Sequence, residues 1–153
     1  MITIESKYDF PSAQIKRAVQ RTLKHQNELP GVNLSVVLTD SRTLRKLNRD
    51  YLGIDAPTDV LSFPASESNG SETDPETGAR YLGDILISVP YAAKSARQAG
   101  HPLEAELQLL VVHGVLHLLG HDHARPREKA RMWKAQREIL TQLGLGDIEI
   151  REE

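Results

Sequence analysis

The longest nearly apolar stretch of the chain, Leu107 to Leu119, is interrupted by Gln108, His113, Gly114 and His117. It is too short and too polar to span a bilayer. The pattern predicts a helix that restarts after His101-Pro102, runs through Leu119 and stops at Gly120, with Glu104 and Glu106 near its positive end. Of the six histidines, four (His113, His117, His121 and His123) fall in this helix or just behind it. There is no cysteine, so disulfides, thiolate metal sites and cysteine nucleophiles are all excluded.

His113 and His117 are four residues apart, which places their rings one above the other on a single helical face. Gly120 can take the left-handed conformation that ends a helix and reverses the chain. His123 then swings back toward the same point. A single histidine in an apolar helix is more often a core residue bonded to a carbonyl. Two at this spacing, followed by a glycine turn and a third, point instead to a metal site with one position open, the arrangement of a catalytic ion. Gly114 is costly in mid-helix, which implies a close approach to the backbone there.

With 153 residues the chain makes one domain, 1–153. Hydrophobic residues are 39%, charged residues 26% and mean hydropathy −0.40, as expected of a soluble globular protein. The start, Met-Ile-Thr-Ile-Glu-Ser-Lys, lacks the apolar core of a signal peptide. A cytoplasmic protein without membrane attachment is therefore expected.

Pro11-Ser12 begins a helix with Ile15, Ala18, Val19, Thr22 and Leu23 on one face. Residues 32–39 alternate as a strand, and Asp40-Ser41 caps a short helix with Leu44, Leu47 and Tyr51 turned inward. Asp59 to Phe63 and Leu82 to Val89 are strands, separated by a polar, mobile loop at 65–80. Pro90 opens an Ala-rich helix that stops at Gly100. A last helix begins near Pro126 and sets Trp133, Gln136, Leu140 and Leu143 along one stripe. The expected order is α, β, α, β, β, α, α, α: an α+β fold with a small mixed sheet packed with about five helices.

The formal net charge of −2 is no sign of a nucleic-acid binder. It averages over separated segments, however. Basic residues gather at 16–24, 42–49 and 125–137, and acidic ones at 67–76 and the C-terminal end. Charged helical faces are ordinary solvated surface. Brought together by the fold, three basic ones would also bind phosphates.

The spacing H-x-x-x-H-x-x-G-x-x-H is shared with extended zinc-protease motifs, which place a glutamate base directly after the first histidine. Here that position is Gly114, so a peptidase is demoted.

The full segment His-Gly-x-Leu-His-Leu-x-Gly-His-Asp-His, from His113 to His123, resembles the signature of the YbeY family of metal-dependent endoribonucleases. Two more blocks agree: Leu47-Asn48, Tyr51, Gly53, Asp55 and Pro57 to Pro64; then Leu82-Gly83-Asp84-Ile85 with Ile87-Ser88. Together they cover most of the chain from about Leu34 to Leu140, in family order.

The resemblance implies that His113, His117 and His123 ligate one zinc ion. Nickel or another divalent transition metal also suits such imidazoles. Asp122 matches the family aspartate, as an orienter of a ligand imidazole or as a turn residue. His121 stands where many relatives have Tyr, and His25 and His101 receive no role. Leu52 stands where the family usually has an arginine. Arg49 and Arg80 are the candidates to supply an RNA-binding cation in its place.

The implied activity is metal-assisted cleavage of single-stranded RNA in ribosomal RNA processing, at the 16S rRNA 3′ end, and in ribosome quality control. The partners implied are the small ribosomal subunit or its assembly factors. The ion would polarise a phosphate oxygen or activate water; attack by water and by the ribose 2′-hydroxyl both stay open. Two alternatives differ in class: a metallopeptidase or other hydrolase lacking the usual glutamate, with Asp122 or a more distant acid as catalytic base, and a non-catalytic ribosome-associated protein with a structural metal.

Overall fold

β-Branched alternation at both ends of the first forty residues builds the first strand pair. The computed structural model describes residues 2–10, 12–65 and 78–148. Strand β1 (Ile2–Ser6) runs parallel to β2 (Val32–Thr39), with Ile2 opposite Leu34 and Ile4 opposite Val36. Helix α1 (Ser12–His25) is the crossover between them, with Ile15, Ala18, Val19, Thr22 and Leu23 buried as its periodicity requires. The expected order lacked β1. Its signal is the alternation Ile2-Thr3-Ile4, too short to stand out beside the longer run that follows.

Helix α2 (Ser41–Leu52) is capped as expected: the Asp40 side chain accepts from the Thr43 N–H at 2.7 Å. Tyr51 does not turn inward with Leu44, because buried Asn48 takes the inner face and donates to the Ala56 carbonyl at 3.1 Å. Strand β3 (Val60–Pro64) pairs antiparallel with β4 (Arg80–Ser88), and β4 pairs parallel with β2. The sheet order β1-β2-β4-β3 makes a four-stranded mixed sheet with β3 at its edge. Residues 66–77, most of the expected 65–80 loop, lie outside the described residues.

Helices α3 (Val89–Ala99), α4 (Leu103–Leu118) and α5 (Pro126–Gln142) complete an α+β fold of four strands and five helices among the described residues. Helix α4 is apolar nearly all round, and Leu107, Leu110, Val111, Val112, Val115 and Leu116 are fully buried. A helix of this kind must sit inside the core. It packs on β3 and β4 on one side and against α1, α3 and α5 on the others. Its C-terminal half, which carries His113 and His117, therefore ends beside the edge strand. Among the described residues no helix is long and apolar enough to cross a membrane.

Candidate metal centre

The close approach implied by Gly114 is to the sheet. A Cβ at this position would lie 2.9 Å from Ile85 Cγ2 and 3.1 Å from Ile85 Cδ1. Residue 114 thus faces the buried β4 strand. A glutamate there, the base of the related zinc-protease motif, would have to displace Ile85.

After Leu118 the chain reverses at Gly120, whose φ is +98°. This turn returns His123 to the helix end. The donor nitrogens of His113, His117 and His123 all lie within 4.8 Å of one another. The His113 and His117 Nε2 atoms are 3.0 Å apart, and the ring centroids of His117 and His123 are 5.3 Å apart. Ligand nitrogens on a tetrahedral zinc are separated by about 3.3 Å, a spacing the His113–His117 pair already approaches.

His113 and His117 come from α4 and His123 from the turn after it, and other elements hold them in place. His113 is buried, and its Nδ1–H donates to Gln136 Oε1 of α5 at 2.8 Å. That bond places the lone pair on Nε2, facing the cleft. Trp133, one turn before Gln136, stands at 6.3 Å from the His113 ring and 5.7 Å from the His123 ring. Lys129 Nζ lies over the Trp133 ring, 5.7 Å from its centroid. Burial pushes His113 below the usual histidine range and His117 down to about 4, the neighbouring imidazoles adding to the effect. Both are neutral donors at physiological pH.

The cleft over these nitrogens has a volume of about 310 Å³ and is lined by Leu52, Val60, Leu61, Ser62, Pro64 and the three histidines. One side of the site is therefore open.

The remaining site candidates fall in different places. The Asp122 carboxylate accepts from the His123 backbone N–H at 2.7 Å, so its hydrogen bond closes the turn rather than holding an imidazole. Arg49 is exposed on α2, paired with Asp50 at 3.1 Å, and borders a groove beside the cleft. Arg80 opens β4 and pairs with Glu28 at 3.4 Å. Neither arginine is among the residues lining the cleft. Of the basic helices, α1 packs against α5, while α2 packs against β3, β4 and α3.

Sequence reasoning missed two supports. Gln136 stood on the expected apolar stripe of α5, and a glutamine on such a stripe is itself the signal. The other is a chain through the unassigned His25. His121 Nε2–H donates to Gln26 Oε1 at 2.8 Å, Gln26 Nε2–H donates to His25 Nδ1 at 2.8 Å, and His25 Nε2–H donates to Glu138 at 3.2 Å. With a carboxylate as final acceptor, every donor in the chain is assigned. It ties the turn between His117 and His123 to α1 and α5. His101 donates to the fully buried Glu106 at 2.6 Å, away from this site.

The family described as "Endoribonuclease YbeY" matches residues 1–144. A protein of that name from Roseiflexus sp. (strain RS-1) is 45% identical over 135 residues, 88% of this chain and 84% of its own. Another from Persephonella marina is 44% identical over 127 residues, 82% of this chain and 79% of its own. The solution structure of TM1509 from Thermotoga maritima has the same fold, with a TM-score of 0.60 at 24% identity, covering 99% of this chain and 97% of that one. On its motifs, its three converging histidines and these relatives, the chain belongs to the YbeY family.

Proposed function

We propose that the protein is a zinc-dependent endoribonuclease that cleaves single-stranded RNA and acts in 16S rRNA 3′-end maturation with the small ribosomal subunit. The observation that carries this reading is the convergence of His113, His117 and His123 on one open cleft. A structural site would be closed by a fourth ligand. The relatives' name, Endoribonuclease, supplies the reaction class.

When bound, a divalent ion supplies Lewis-acid polarisation of a phosphate oxygen. The chain's own residues do the rest. His113, His117 and His123 hold the site, and Gln136 keeps the His113 proton on Nδ1 so that Nε2 stays free. Leu52, Val60 and Leu61 make one wall apolar, and Trp133 backs the His113 and His123 rings. Lys129, over the Trp133 ring, and Arg49, one turn before Leu52, would attract a phosphate backbone. Asp122 holds the turn of His123 through its backbone.

The test presents zinc-loaded protein with a single-stranded RNA, the same sequence as a duplex, and a peptide. Cleavage of the single strand alone, abolished by chelator and restored by zinc, is expected. Intact RNA beside a cleaved peptide would replace this reading with the peptidase. In cells, failure of His117→Ala to mature 16S rRNA separates an enzyme from a ribosome-associated protein with a structural metal.

A further inference from the structure

Three large apolar side chains crowd the end of α2: Tyr51 is 70% exposed, Leu52 57% and Ile54 54%. Isolated exposed apolar residues are ordinary on a protein surface, but a contiguous group marks a contact site. The Tyr51 ring is braced against Phe63, with centroids 5.6 Å apart at 66°. At its exposure, one face of the ring is left to solvent.

The placement of this lip is what gives it meaning. Leu52 lines the histidine cleft. One turn earlier, Arg49 lines a second groove of about 430 Å³ with Arg42, Arg45, Lys46 and Pro57. The four cations follow an i, i+3, i+4, i+7 pattern and so share one helical face. Arg45 and Arg49 pair with Asp55 and Asp50, at 2.9 and 3.1 Å. By helical angle Leu52, at the mouth of the cleft, lies between this cationic face and Tyr51, which projects from nearly the opposite side of the helix. A cationic face on one side of a cleft mouth and an open aromatic ring on the other suit a single strand, which offers both phosphates and unstacked bases.

We propose that Tyr51 is the platform on which one base of the RNA strand stacks at the mouth of the histidine cleft, while the cationic face of α2 carries phosphates on the other side of Leu52. This rests on the single-stranded RNA reading above and adds a positioning residue to it. Arg42 to Leu52 spans about 15 Å of helix, room for a few nucleotides. A duplex, whose bases are already stacked in pairs, offers Tyr51 nothing.

The experiment measures binding of a labelled 2′-O-methyl single strand to metal-loaded protein by fluorescence anisotropy, with the strand's integrity checked on a gel. Tyr51→Ala is expected to weaken binding about tenfold, the effect of losing one stacked base. Tyr51→Phe keeps the ring and binds as the parent does. Tyr51→Leu retains apolar packing on Phe63 without a π face, and weakens binding like alanine; it serves if the alanine variant fails to fold. Duplex affinity stays unchanged in all three. Arg42→Gln and Lys46→Gln each lower the salt-dependence slope by about 0.7.

Equal single-strand binding by Tyr51→Leu and the parent would overturn the proposal, as would a Tyr51 dependence confined to anionic vesicles. Tyr51-dependent binding without cleavage of ordinary RNA would keep the platform and remove the nuclease. Cleavage with RNA binding indifferent to Tyr51 would do the reverse.

Discussion

His113 Nδ1 and Gln136 Oε1 lie 2.8 Å apart, and this one contact between α4 and α5 decides which nitrogen of the imidazole faces the cleft. Gln136 is fully buried, and its Nε2 has no hydrogen-bond partner among the described residues. The side chain is therefore kept for its oxygen. Gln136→Leu should lower metal affinity about 10- to 100-fold, and leave the His113 N–H unsatisfied at about 1–3 kcal/mol of stability. Gln136→Glu keeps an acceptor and should retain the metal. Competition titration against a chromophoric chelator distinguishes the two.

The contact of Gly114 with Ile85 makes a sign test. Alanine is better than glycine in a helix by about 1 kcal/mol. Yet its Cβ would meet three carbons of a fully buried Ile85, the nearest at 2.9 Å, and overpacking costs about 1–3 kcal/mol. Gly114→Ala should therefore be neutral to destabilising in the parent. In an Ile85→Ala background, itself about 2–5 kcal/mol less stable, the same change should stabilise by about 1 kcal/mol. Urea denaturation of the four proteins reads the coupling.

Asp40 caps α2, and its hydrogen bonds to Lys7 and Thr43 hold its carboxyl well below the ordinary value of 3.8. A depressed carboxylate contributes stability that is present above its unfolded pKa and lost as pH falls through the folded one. As pH falls from 5 to 2, the parent should therefore lose stability more steeply than Asp40→Asn, which retains a cap without the charge, with most of the difference arising below the ordinary value of 3.8. Denaturant midpoints at the two pH values provide the comparison.

Gln26 joins His121 to His25, with both contacts at 2.8 Å. Its removal should loosen the turn that carries His123. Gln26→Ala is expected to weaken metal binding by a few-fold to about tenfold, the equivalent of about one hydrogen bond. Less affected than Gln136→Leu, it should keep its helical content by circular dichroism. Metal affinity unchanged from the parent would make the chain of contacts purely structural.

Much of this was legible from local pattern. The four-residue spacing of His113 and His117, the turn at Gly120 and the return of His123 follow from helix geometry. The Asp40 cap and the strand at 32–39 follow from short-range chemistry. Strand β1 was not legible, because five residues gain their strand identity from pairing with β2. Tyr51 illustrates the other limit: helical period put it inward, but Asn48 satisfies the inner face through the distant Ala56 carbonyl. Gln136 and Gln26 act on the site from 23 and 95 residues away in sequence. Only the packing of α1, α4 and α5 makes them neighbours.

If the cleft is a nuclease centre, His113, His117 and His123 hold one ion at which RNA is cut. Titrating zinc into metal-free protein while following cleavage of a single-stranded RNA tests it most directly. Activity should rise linearly and stop at one equivalent per chain, and His117→Ala should stay inactive throughout. Cleavage by the metal-free protein, or equal cleavage by His117→Ala, would contradict the account.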